Sequence, residues 1–268
     1  MKNFPSRLAA LVALPLGLWL AAPAASLAWT SEQDAAQDEL QQLFAENGIH
    51  LDLNQGICAI DATVAVREEL LEYFLVASHG AAHESMLITG SNPSVINTAL
   101  LALGVEPGTN AVWGPKNPQP SEEELRAGVS PYEVEPPSGD GFYLYVTWQD
   151  GEETYFYRAE DLVRNLSTGR SMKRHRWVYL GSRMIEWEKP GEERFAAEML
   201  GNLINIAYFE QGDTMLTGAL PECVEQAIWM ANAWLLPDRG HEVRLVFSQK
   251  RLGAVPSGLF EAEPPAGR

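Results

Sequence analysis

Of the 5 histidines in the chain, His79 and His83 fall in one short stretch together with Glu84 and Ser85. Imidazole nitrogens and a carboxylate are ordinary ligands for a divalent ion, so His79, His83 and Glu84 form one candidate metal set. Side chains alternate along a strand, which puts His83 and Ser85 on one face and Glu84 on the other. Convergence of all three ligands therefore requires a bulge. A second chemistry needs no bulge. His83 and Ser85 would share a pocket with the helix start marked by Asn92-Pro93, where free N–H groups attract an anion or carboxylate. A third reading is structural, with His83 and Glu84 bonding backbone groups and pinning a hairpin to that helix.

Other chemistries find little support. The chain has no G-x-S-x-G, no Walker loop, no G-x-G-x-x-G and no H-E-x-x-H. Two cysteines, Cys58 and Cys223, cannot by themselves hold an iron–sulfur cluster. They are candidates for a disulfide or for two buried thiols. No cofactor is expected.

The elements that must position the cluster can be read on either side of it. Leu70 to Ala77 is nearly all apolar and reads as a strand buried on both faces. Ser78-His79-Gly80-Ala81 reads as a hairpin turn, with Gly80 free to take positive φ, and residues 83–89 as the returning partner strand. Asn92 as N-cap, Pro93 at the first helical position, an apolar face of Val95, Ile96, Ala99, Leu100 and Leu103, and Gly104 as stop predict a helix. Upstream, a helix stopped at Asn47-Gly48 and strands at 49–53 and 57–66 are expected. Downstream, aromatic alternation around Asp150-Gly151 predicts a hairpin over 142–158. Its rings, among them Tyr143, Tyr145, Trp148, Tyr155 and Tyr157, offer a carbohydrate or peptide platform as well as ordinary sheet packing. Helical spacing is read at 159–165 and 222–232, and strands at 177–185, 194–199, 202–209 and 243–247.

The chain has 268 residues, of which 46% are hydrophobic, enough for a single large domain with a proper core. Lys2 and Arg7 precede an apolar run that ends in small residues before Trp29, the layout of a secretory signal peptide over 1–28. The protein is thus expected to be exported, periplasmic or extracellular, with no stable membrane span once that segment is cut. Its net charge of −17 argues against nucleic acid and anionic lipid as partners. The basic run Arg170 to Arg176 reads as a solvated turn. Prolines crowd residues 105–141, an excursion within the domain of 29–252, and a flexible tail is expected over 253–268.

The run LEYFLVASHGAAHESMLITGSNPSVINTALLALGVEPG resembles the central block of the YdjY domain. RWVYLGSRM, GNLINIAYFEQGDTML and HEVRLVFS are similar to its C-terminal half, so the likeness runs from about Gly56 to Ser248. The resemblance implies an exported α/β-type domain and carries over no catalytic residue. Strands outnumber helices, and hairpins outnumber crossover units. The expected fold is α+β, with a mainly antiparallel or mixed sheet and a few packed helices. The expected function is non-catalytic binding of a small ligand or an envelope protein. The alternative is a metal-dependent or hydrolytic enzyme built on His79, His83 and Glu84.

Overall fold

The computed structural model describes residues 37–260; the expected signal segment and residues 261–268 lie outside that range. The chain divides after Gln41, and the unit from Gln42 onward carries the sheet and the candidate site. Ten strands make the main sheet. They are β1 (Ile49–Asp52), β2 (Ile57–Val64), β3 (Tyr73–Ala77), β4 (Ser85–Thr89), β5 (Gly141–Asp150), β6 (Glu153–Arg158), β7 (Trp177–Tyr179), β8 (Asn202–Asn205), β9 (Leu216–Thr217) and β10 (Glu242–Ser248). Eight of them close into a barrel in the order β2-β10-β5-β7-β9-β8-β3-β4, with β4 returning to β2. Strand β2 makes closure possible by sharing one edge: Ile57 to Ile60 pair with β1, and Thr63 and Val64 pair with β4. Closure leaves those eight strands without an open edge.

The fold is therefore a β-barrel with extra strands, and the α+β expectation is corrected. Two of the expected helices account for much of the difference. Residues 159–165 form a 3₁₀ turn, Ala159–Leu162, and a strand, Val163–Asn165. Residues 222–232 form two 3₁₀ turns and the strand Trp229–Ala231, which pairs with Val163–Asn165. In both places sheet pairing supplies the backbone partners that a helix would have had to provide for itself. The hairpin expected at His79 is also corrected, because β3 and β4 run parallel, Leu75 opposite Leu87. Residues 78–84 carry the chain back through a turn and the 3₁₀ segment Ala82–Glu84.

Period-two alternation sorts the barrel wall. Ile60, Ala62 and Val64 of β2, Leu144, Val146 and Trp148 of β5, and Val243, Leu245 and Phe247 of β10 face the main core. Phe142 meets Phe247 edge-on at 5.9 Å and Tyr179 at 6.3 Å, and Phe74 meets Trp177 at 5.5 Å. These rings pack within a core that is otherwise mostly aliphatic. Helix α1 (Pro93–Ala102) adds Ile96, Ala99 and Leu100 to the same core. On the outer face, Ile57, Ala59, Tyr145 and Val246 pack with Leu252, Val255, Leu259 and Phe260 from the segment after β10. Within 105–141, Val112–Pro115 and Tyr132–Glu135 pair as a small hairpin around the capped turn Glu122–Arg126. Trp113 packs down from it, edge-on to Tyr208 at 6.4 Å.

Candidate functional site

The helix start expected at Asn92 forms as the sequence dictates. The Asn92 side chain accepts from the backbone N–H groups of Ser94 at 2.9 Å and Val95 at 3.2 Å. The chain supplies its own anion at this end of α1. Glu198, from helix α2 (Ala196–Leu200), takes a hydrogen bond from the Ser94 hydroxyl and one of 3.4 Å from the Asn92 amide. His79 is tied to the same helix, with Nε2 2.8 Å from the Glu198 carbonyl oxygen. Gly80 allows this close approach. A Cβ there would lie 2.6 Å from the Gly201 carbonyl oxygen. Its φ is not positive, so proximity rather than a left-handed turn demands glycine.

His83 and Ser85 do not share a pocket. His83 belongs to the 3₁₀ segment rather than the strand, so strand parity does not apply to it. Its side chain is 78% exposed, with Nε2 3.4 Å from Glu84 Oε1. Ser85 is fully buried and donates to the Leu87 carbonyl at 2.8 Å. His83 and Glu84 thus face one another, while His79 turns away to the Glu198 carbonyl. Among the described residues no three His, Cys, Asp or Glu side chains stand together as a metal site. Cys58 and Cys223 are buried free thiols, each pushed by burial to a pKa of about 12.

A group not anticipated from the sequence is Glu72, just before β3. Its backbone N–H donates to the Glu84 carbonyl at 3.0 Å. Its carboxyl holds its proton to a higher pH than usual, chiefly through desolvation, then through the charge and a hydrogen bond of Glu84. Tyr73 beside it is stacked on Phe209 at 5.4 Å and is pushed to about 12, first by burial.

The larger feature lies on the outer barrel face, where strand register assembles a polar row. Arg244 of β10 stands opposite Asp61 of β2 on one side and Thr147 of β5 on the other. The Arg244 guanidinium bonds Asp61 Oδ1 at 2.9 Å and lies 5.5 Å from the Phe260 ring centroid. Thr63, Glu242 and Gln149 extend the row, His241 flanks it, and Ile88 and Gly90 from the end of β4 form a wall. Together they line an open groove of about 750 Å³. Thr89 Oγ1 donates to the Asp61 carbonyl at 2.7 Å, tying that wall to the groove floor. The Thr147 hydroxyl is spent on the Tyr155 carbonyl at 2.7 Å. Asp61 and Arg244 keep 58% and 35% of their side-chain surface exposed, so each can meet a second partner. The volume suits a small molecule. The sequence holds a faint trace of the site in the polar outward positions of β2 and β10.

A model of the YdjY domain matches residues 49–248, from the first residue of β1 to the last of β10. No curated protein and no solved structure gives a significant match. Among the described residues no helix is long and apolar enough to cross a membrane. The match spans the barrel and most of the sequence, and the chain belongs to the YdjY domain family.

Proposed function

We propose that this protein is an exported, non-catalytic binding domain that holds a small zwitterionic ligand, such as an amino acid or short peptide, in the outer groove. The carrying observation is the half-exposed Asp61–Arg244 pair on the groove floor. The inward-facing side chains of the wall pack into a continuous apolar core, whereas the polar row faces outward at the groove. Arg244 offers a planar fork for a carboxylate, while Asp61 and Glu242 offer oxygens to an ammonium group. The aligned hydroxyl, Thr147, is committed to a backbone carbonyl and makes a poor nucleophile, which favours binding over chemistry. Export rests on the charged, apolar, small-residue layout of residues 1–28.

Calorimetric titration with free dipeptides, compared with their N-acetylated and C-amidated forms, tests this reading. Free dipeptides should bind, blocked forms should bind at least tenfold more weakly, and Arg244→Gln or Asp61→Asn should abolish the heat. Equal binding of blocked forms, or no binding of any dipeptide, overturns the zwitterion assignment. A protein partner is the second reading, and Trp234 favours it: the residue is 87% exposed, and tryptophan is enriched among interface anchors.

A further inference from the structure

The opposite end of the same outer face carries a different charge arrangement. Tyr143 on β5 has three guanidinium groups around its ring. Arg158, at the end of β6, places its guanidinium carbon 5.1 Å from the Tyr143 ring centroid and 5.2 Å from that of Tyr145. Arg176, the residue before β7, lies 6.0 Å from the Tyr143 centroid, and Arg251, beyond β10, lies 5.6 Å from it. The placement is built rather than incidental. Arg176 donates to the Gly141 carbonyl at 2.9 Å, and the Tyr145 hydroxyl accepts from the Leu252 N–H at 2.7 Å, which fixes the backbone next to Arg251.

Arg158 is neutralised by Glu160. Arg176 and Arg251 are not: among the described residues neither has a carboxylate within ion-pair distance. In a chain of net charge −17, two exposed and uncompensated guanidiniums on one ring are out of keeping with the surface. Like charges so gathered repel, and contact with the ring offsets this only in part. An oxyanion between them would remove the repulsion and meet two planar sets of N–H donors. We propose that Tyr143, Arg176 and Arg251 form a binding site for a small oxyanion, a phosphate or carboxylate group, separate from the groove at Arg244.

The test is a calorimetric titration of the full chain with inorganic phosphate and with succinate, against sodium chloride at equal ionic strength. At least one oxyanion should bind more tightly than chloride. Stronger phosphate binding assigns the site to a tetrahedral anion, and stronger succinate binding to carboxylates. Arg176→Gln and Arg251→Gln should each weaken that binding at least tenfold without changing the far-ultraviolet circular dichroism. Arg170→Gln, from the same basic run, should leave it unchanged. The proposal is overturned if neither oxyanion exceeds chloride. It is equally overturned if Arg170→Gln weakens binding as much as Arg251→Gln, because the attraction would then be diffuse.

Discussion

Replacing Arg158 with methionine should unfold this protein more easily than almost any other single change outside the barrel interior. Glu160 is 0% exposed, and its carboxylate is held by Arg158 Nε at 3.0 Å, by Arg158 Nη2, and by the His175 N–H at 3.1 Å. Methionine keeps the aliphatic bulk against Tyr143 and Tyr145 but removes the charge. The carboxylate is then buried with one donor left. Breaking a buried ion pair from one side costs about 3–5 kcal/mol. With a urea dependence of about 2–3 kcal/mol per molar for a domain of this size, the unfolding midpoint should fall by roughly 1.5 M. The double variant Arg158→Met/Glu160→Leu removes both charges and should recover most of the loss, so a urea double-mutant cycle is the assay. A second readout comes from His175, whose pKa is lowered mainly by burial and also by Arg158, while Glu160 raises it. In Arg158→Met its titration, followed by nuclear magnetic resonance, should move upward. A loss below about 1 kcal/mol, with the histidine titration unmoved, would refute the buried pair.

Three further outcomes rest on the geometry. Gly80→Ala should destabilise by roughly 1–3 kcal/mol in thermal unfolding, because the new Cβ meets the Gly201 carbonyl at 2.6 Å and neither backbone can easily yield; an unchanged melting temperature would contradict the close approach. Glu72→Gln should stabilise at neutral pH and flatten part of the acid-side stability profile. The folded pKa of Glu72 lies above its ordinary value, so its contribution is favourable below about pH 4.5 and is lost as pH rises through the higher folded value; a variant less stable at pH 7 would reverse that sign. Iodoacetamide at pH 8 should leave Cys58 and Cys223 unmodified in the native protein and label both after unfolding without reductant; labelling of neither would mean that they are paired.

What the sequence made legible was local. The α1 start is written in Asn92-Pro93, and the β5–β6 hairpin in Asp150-Gly151 between aromatic alternations, because each signal lies within one turn of the residues it organises. Strand direction was not local. β3 and β4 look like a hairpin from residues 73–89 alone, yet β3 also pairs with β8, and β4 with β2 across the closing seam. The helical spacing of 222–232 gave way for the same reason, because Trp229 pairs with Asn165. The face-sharing of His83 and Ser85 failed because His83 precedes the strand. Asp61, Thr147 and Arg244 are far apart in the chain, and only the register of three strands makes them neighbours.

The claim that the outer groove is the binding surface is tested most directly by mapping amide shifts of the isotope-labelled protein during titration with a free dipeptide. The perturbed amides should cluster at 61–63, 147–149 and 241–244, the strand segments that line the groove. Perturbations centred on His79 to Ser85 instead, or no perturbation at saturating dipeptide, would contradict it.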